Sequence, residues 1–154
     1  MDDVTSAIRI DQFNPSMQDA FRSLVLDGMA QRWGSADPTL LPDLYDVDAH
    51  YGEDVVLVAL DGERVVGTGI LVLRPDAGEI VRLSVHRDHR RKGIATRLVS
   101  ALIELAGVHG VEQVVVETNA KWTDAQALYE GVGFTLTHYA PGDFGQEAFY
   151  KLDL

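Results

Sequence analysis

The sequence predicts an α/β protein: a mixed central sheet of about seven strands with helices on both faces. Three observations carry that prediction. Residues 55–60, Val-Val-Leu-Val-Ala-Leu, are a continuous apolar run, the mark of a strand covered on both faces. Residues 79–86, 94–105 and 112–116 read as strand, helix, strand, an order that demands a right-handed crossover and parallel pairing. Strand-period and helix-period segments fill the rest of the chain without a linker, repeat or low-complexity tract, so residues 1–154 read as a single domain.

Residues 8–13 alternate apolar and polar and predict the first strand. Asn14-Pro15 then supplies a side-chain cap and a proline at a first helical position. Met17, Ala20, Phe21, Leu24, Val25 and Gly28 fall at helical spacing, and the helix reaches Arg32 before Trp33-Gly34-Ser35 breaks it. Asp37-Pro38 repeats the cap-and-proline signal, and Leu40, Leu41, Leu44 and Tyr45 predict a short second helix. Asp61-Gly62 is a hairpin signal. The return strand runs from Val65 to Leu73 with Gly67 and Gly69 inside it, which marks a bulge or a close backbone approach. A turn at 74–78 leads into the strand at 79–86. Ile94, Leu98, Leu102 and Leu105 form the next helical face, ended by Gly107 and Gly110. After the strand at 112–116, Thr123-x-x-Gln126 reads as a capping box. The helix behind it carries Ala125, Leu128, Tyr129 and Val132 and ends at Gly131 and Gly133. Strands at 134–139 and 148–152 close the chain as a hairpin around a loop at 141–145.

A composition of 46% hydrophobic and 24% charged residues is that of an ordinary soluble globular protein. With no cysteine there is no disulfide framework, thiolate metal site or cysteine nucleophile; the five histidines are scattered, and no metal is expected. The acidic start Met1-Asp2-Asp3 lacks the apolar core of a signal peptide. The longest apolar run is too short to span a bilayer, so a cytoplasmic location and no membrane partner are expected. A net charge of −11 argues against a nucleic-acid partner. Yet six of the 13 Lys and Arg residues lie at 82–97, against one of the 24 acids, Asp88. A basic island in an acidic chain points to an anionic ligand held at one spot, although a charge run is as often a solvated loop.

The island coincides with a strand-to-helix turn, Arg90-x-x-Gly93-x-Ala95. Glycine and alanine let a backbone pass close to a bulky group. A helix N-terminus adds unpaired N–H groups and the positive end of a dipole, and the combination suits a phosphate. Two familiar phosphate loops are excluded. There is no Gly-x4-Gly-Lys-Ser/Thr, and Gly67-Thr-Gly69 lacks a third glycine and opens no helix.

Taken with the preceding strand, which reads Leu83-Ser84-Val85, and with Leu128-Tyr129-x3-Gly133-Phe134 downstream, this turn resembles the GNAT superfamily of acetyl-CoA-dependent N-acetyltransferases over nearly the whole chain. The resemblance implies the GNAT fold, with a bulged fourth strand (79–86) splayed from the fifth (112–117). It implies acetyl-CoA as co-substrate, its pantetheine arm entering the gap as a strand would. Backbone groups at Leu83 and Val85, with Ser84 between them, would hold that arm, and the Val85 N–H would face the thioester carbonyl. The N–H groups of Arg91, Lys92, Gly93, Ile94, Ala95 and Thr96 would wrap the pyrophosphate, with Arg90, Arg91 and Lys92 adding charge. The family's acid at the thioester sulfur falls on Tyr129, and a carboxylate that accepts the amine's proton falls on Glu79. Many members contact CoA through an asparagine seven residues before the tyrosine. Here that position is Trp122, and Asn119 is the asparagine available.

Read from the residues alone, alternatives stand beside these roles. Tyr129 is equally a packed aromatic on its helix's apolar stripe, Glu79 an exposed carboxylate at a strand start, and Trp33 and Trp122 anchors for loops. The implied function is transfer of an acetyl group to a primary amine of a small molecule or peptide, by direct attack in a ternary complex. A protein lysine or N-terminal acetyltransferase is the alternative; a non-catalytic acyl-CoA-binding module is an alternative of another class. Asp37, Asp43, Asp46, Asp48, Glu53 and Asp143 would draw a cationic acceptor, with specificity expected in residues 28–53 and 140–146. A homodimer is a common assembly among such resemblances.

Overall fold

The computed structural model describes residues 7–34, 37, 39 and 41–154. Strands β1 (Ile8–Gln12), β2 (Val55–Asp61), β3 (Arg64–Leu73), β4 (Gly78–Val85), β5 (Gln113–Asn119), β6 (Thr135–Gly142) and β7 (Gly145–Asp153) form one sheet in the order β1-β2-β3-β4-β5-β7-β6. Every neighbouring pair is antiparallel except β4–β5, which is parallel. Helices α1 (Gln18–Trp33) and α2 (Val47–Tyr51) lie on one face, and α3 (Ile94–Val108) and α4 (Thr123–Val132) on the other. This is the predicted mixed sheet. Among the described residues no helix is long and apolar enough to cross a membrane.

The apolar run of β2 is explained by its neighbours. Leu57 and Ala59 pack into the core under α3 and α4, while Val58 and Leu60 pack under α1 with Phe21, Leu24 and Val25. Burying each such aliphatic side chain is worth about 1.5–3 kcal/mol, which drives helices onto both faces. The glycines of β3 serve the α3 side. A Cβ on Gly67 would lie 3.0 Å from Leu98 Cδ1 and 3.0 Å from Ala59 Cβ, and one on Gly69 would lie 3.1 Å from Leu102 Cδ1. The bare backbone is what lets α3 sit so low on the sheet.

Several local signals act differently from the sequence expectation. Asn14 does cap the entry to α1, accepting from Ser16 N, but over a 3-10 turn, Pro15–Met17, that precedes the helix. Ala20 is exposed, off the buried stripe. Pro38 and Leu40 lie outside the described residues. The chain then forms a 3-10 turn, Pro42–Leu44, and the short helix is α2, capped by Asp46, which accepts from Ala49 N. The β2–β3 hairpin pairs Asp61 with Arg64, so its two loop residues are Gly62 and Glu63. Gly62, at φ 62°, takes the first central position, where a II′ turn uses glycine. Thr123 does not form a capping box: Trp122 is the N-cap, without a side-chain bond, and the Gln126 amide donates instead to Ala120 O at 2.8 Å. Gly107 and Gly131 lie inside α3 and α4; the left-handed stops are Gly110 and Gly133. The terminal strands extend through the expected loop and leave Asp143 and Phe144 at a tight tip.

Candidate active site

The site is built on a failure of pairing. β4 and β5 meet at Gly78↔Val114 and Glu79↔Val115 and nowhere beyond. Their remaining residues diverge and leave two facing edges without a strand partner. A bulge in β4 accompanies the split: Thr68 pairs with Ser84 and Ile70 with Val81, so Arg82 and Leu83 oppose Gly69 alone. Arg82 adopts φ 54°, and Thr68 Oγ1 donates to its carbonyl at 2.8 Å.

The bulge resets which way β4 faces. Ile80 packs on the α3 side and Val81 on the α1 side; the Arg82 guanidinium stays on the α1 side, bonded to Asp43, and Leu83 and Val85 then return to the α3 core. Ser84 therefore faces α1, where a Cβ on Gly28 would lie 3.5 Å from its Oγ. His86 N donates to Val66 O at 2.8 Å, toward β3. Successive strand N–H groups alternate edges, so those of Val85 and Leu83 turn to the open gap.

At the end of β4 the chain passes through a 3-10 turn, Arg87–His89, into the predicted glycine turn. His86 Nδ1 accepts from Asp88 N, and the buried His89 ring meets Asp61 at 3.1 Å, so both histidines brace this loop. Arg91 and Gly93 are left-handed, at φ 62° and 77°, on either side of Lys92. Left-handed residues in a tight turn gather successive N–H groups into an anion-binding hollow. The N-cap of α3 is Gly93, without a side-chain cap, which leaves the N–H groups of Ile94, Ala95 and Thr96 without helical partners. A Cβ on Gly93 would meet nothing within 4 Å, so the space ahead of the helix is open.

The basic island divides into two kinds of residue. Arg82 forms a bidentate pair with Asp43 (2.9 and 2.8 Å), Arg97 donates to Ile8 O, and Arg90 Nε donates to Val85 O at 3.2 Å. Arg87, Arg91 and Lys92 are exposed and make no ion pair or hydrogen bond among the described residues. Arg82 is thus removed from the set of free cations, and Asp43, only 5% exposed, from the set of surface acids. Asp46 likewise serves as a helix cap. One cavity, about 630 Å³, lies at the other end of β4 against the 73–76 turn and 109–113. A second, of about 350 Å³, opens between α1 and the end of β4, with Asp27, Gly28, Val85 and Arg90 in its wall. The second adjoins the gap and is the relevant one.

Tyr129 lies on α4 with its ring in the core, 6.2 Å from Tyr150 and 5.6 Å from Phe134. Its hydroxyl makes no hydrogen bond among the described residues. Burial pushes that hydroxyl well above the usual tyrosine range, against a smaller opposing pull from Arg32, so it is protonated at neutral pH. Glu79 stands at the last paired rung of β4 and is gripped by Arg74, whose Nε donates at 3.1 Å.

The structure adds carboxylates that sequence reasoning missed. Val114 and Val116 point to the α3–α4 core, so Glu117 takes the opposite face of β5, the face of Glu79 and Glu147. Burial, then the charge of Glu79, raises the Glu117 carboxyl above its ordinary value. Burial, then Glu117 and Asp143, does the same for Glu147. The signal was the apolar run 114–116 followed by an acid in a strand, legible only once sheet order places β7 beside β5. Across the open end of the gap, Trp33 from α1 packs on Trp122 (5.1 Å) and on Phe144 of the β6–β7 tip (4.8 Å). Arg32 lies 4.4 Å over the Trp122 ring and pairs bidentately with Asp124. Asn119 is buried, and both ends of its amide are engaged: Nδ2 donates to Phe144 O and Oδ1 accepts from Lys121 N.

Comparison with known proteins agrees with this geometry. The chain is 34% identical to human N-acetyltransferase 8 over 110 residues, 66% of this chain and 48% of that protein. It is 35% identical to the uncharacterized N-acetyltransferase YjgM of Escherichia coli over 113 residues, 71% of this chain and 67% of that one. The chain spans about half the length of the N-acetyltransferase 8 relatives it matches. Among solved structures, a GNAT-family acetyltransferase from Staphylococcus aureus Mu50 superposes with a TM-score of 0.84 at 20% identity, covering 96% of this chain and 99% of that one. A putative acetyltransferase from Salmonella typhimurium, solved with its cofactor acetyl-CoA, gives 0.78 at 21% identity over 96% and 94%. Residues 18–134 match the sequence profile of the Acetyltransferase (GNAT) family, and the chain belongs to that family.

Proposed function

We propose that this chain is an N-acetyltransferase that binds acetyl-CoA in the gap between β4 and β5 and passes its acetyl group to a primary amine by direct attack in a ternary complex. The observation that carries the reading is the two-rung β4–β5 seam opening toward the uncapped N-terminus of α3. An extended amide-bearing arm fits an unpaired strand edge, and a diphosphate fits a helix start with open space before it. Acetyl-CoA supplies the acetyl group as a thioester, whose carbonyl gains negative charge during attack.

The chain's residues do the rest. The N–H groups of Leu83 and Val85 hold the arm, and that of Val85 stabilises the developing oxyanion. Ser84 faces the acceptor side. The N–H groups from Arg91 to Thr96 receive the diphosphate; Arg91 and Lys92, exposed and without an ion pair among the described residues, add charge, and Arg90 closes on the Val85 carbonyl beside them. Tyr129 donates its proton to the departing sulfur. An amine near its ordinary pKa of about 10.4 must first lose a proton. Glu79 and Glu117 are the carboxylates able to take it. Glu117 is the better base of the two, because its proton affinity is raised while Glu79 is held by Arg74. Asn119 serves indirectly, by fixing the β6–β7 tip.

The acceptor is a small-molecule or peptide amine. The carboxylates on the α1 face of β4, β5 and β7 support a cationic one. One relative, of Schizosaccharomyces pombe, carries the name N-alpha-acetyltransferase 30, so a free peptide N-terminus belongs in the acceptor panel beside lysine side chains, basic amino acids and polyamines. The test is thermal unfolding with and without acetyl-CoA, followed by thiol release across that panel. At a hundredfold excess over Kd the ligand should stabilise the protein by about 2.7 kcal/mol, a rise of about 5–10 °C in Tm. Gly93→Glu, which fills the open hollow with a carboxylate, should abolish the rise. No shift for the natural sequence at millimolar acetyl-CoA would overturn the reading.

A further inference from the structure

The bulge that orients β4 is made by a residue poorly suited to it. A left-handed backbone is disfavoured for any residue with a Cβ, yet Arg82 sits at φ 54°. It is held there at both ends. Thr68, fully buried in β3, donates to its carbonyl at 2.8 Å. Its guanidinium meets Asp43 through Nε at 2.9 Å and Nη2 at 2.8 Å, and Tyr51 of α2 donates to the same carboxylate at 2.7 Å. Asp43 and Tyr51 belong to the 41–51 segment, which is seated on α1 by Gln18, donating to Leu44 O at 2.7 Å and accepting from Val47 N at 2.9 Å.

We infer that Arg82 is a positioning residue for the acetyl donor, and that Asp43, Tyr51 and Thr68 are the clamp that gives it this role. The inference rests on the acetyl-CoA reading above. Two residues of β4 oppose one of β3 at this point, and the strand is rotated by one step downstream of it. Without that step Leu83 and Val85 would turn toward β3 the N–H groups that now face the gap. The clamp therefore decides whether the pantetheine arm finds donors. It has no part in the diphosphate hollow, which is built from the local backbone of residues 91–96.

Titration calorimetry on the natural sequence and on Arg82→Ala, Thr68→Val and Tyr51→Phe separates these parts. Each is titrated with acetyl-CoA and with adenosine 3′-phosphate 5′-diphosphate, the nucleotide part of CoA without the arm. Losing the hydrogen bonds presented to the arm should weaken acetyl-CoA binding about tenfold in Arg82→Ala and about threefold in Thr68→Val, while the nucleotide alone binds within about twofold of the natural value. A general loss of structure would weaken both ligands together. Should Arg82→Ala fail to fold, Thr68→Val and Tyr51→Phe keep the side-chain volume and answer the same question. An unchanged ratio of the two affinities in the folded variants, or an equal fall in both, overturns the positioning role and leaves the acetyl-CoA reading intact. Failure of the natural sequence to bind either ligand overturns both.

Discussion

Tyr129 and Tyr150 are neighbours with opposite fates. Tyr150 donates to Glu130 at 2.9 Å and completes a core contact. Tyr129 is as buried in its ring, yet its hydroxyl donates to no described residue. A hydroxyl held protonated by burial and left without a partner is ready to donate when an acceptor arrives. Replacing it with phenylalanine removes no internal hydrogen bond. Tyr129→Phe should therefore leave Tm within about 2 °C, a surface-sized effect on stability. The same change should lower kcat by about a hundredfold, the lower end of what a general acid contributes, with acetyl-CoA affinity unchanged. Steady-state kinetics beside calorimetric titration distinguishes this from a packing role, for which turnover would be untouched.

Elements rather than residues set how close α3 lies to the sheet, and Gly67 is the test of it. An alanine there must displace Ala59, Leu98 or Ile94 and should cost about 2 kcal/mol, or about 4–8 °C in Tm. Gly107→Ala, inside α3 with nothing within 4 Å, should instead stabilise by up to about 1 kcal/mol. Thermal scans of the two variants should move in opposite directions. The close approach at Gly67 was readable in advance because a glycine inside an apolar strand has few other uses. The glycine turn at the start of α3 was readable for a related reason: strand, loop and helix start are contiguous, so residues 83–96 carry their own context. Signals that depend on a competing partner were not. The Thr123 capping box lost Gln126 to the Ala120 carbonyl, and Asp61-Gly62 names a turn without stating which residue is central. The Arg82–Asp43 pair spans 39 positions, and no local pattern announces it. Glu117 and Glu147 share a face only because β7 inserts between β5 and β6, a topological fact that periodicity does not contain.

For the whole molecule, the same clamp sets a limit on acid tolerance. Burial disfavours a charged Asp43, but Arg82 and the Tyr51 hydroxyl outweigh it and hold the carboxyl below its ordinary value of 3.8. Burial and the Asp43 charge push Tyr51 up to about 12, so it remains a donor throughout the neutral range. A carboxyl lowered on folding stabilises the folded state above its unfolded pKa, and that contribution is lost as pH falls through the folded value. Asp43→Asn should be less stable than the natural protein at pH 7 by about 3 kcal/mol, since it leaves a largely buried guanidinium without its counter-charge. The difference should narrow below about pH 4 as the natural carboxyl takes up its proton. Denaturant melts from pH 7 to pH 3 would check this, and a gap that stays constant with pH would exclude the pair as its source.

The two-rung seam between β4 and β5 has a mechanical meaning. The sheet is two leaves, β1–β4 and β5–β7–β6, hinged at one corner and otherwise kept in register by the helices and the Trp33–Trp122–Phe144 contact across the far end. A ligand lying in the opening would be an eighth strand in all but covalency, tying the leaves together along the length where the chain leaves them apart. The protein would then be most completely a single sheet only while loaded, and each turnover would unfasten and refasten its own architecture.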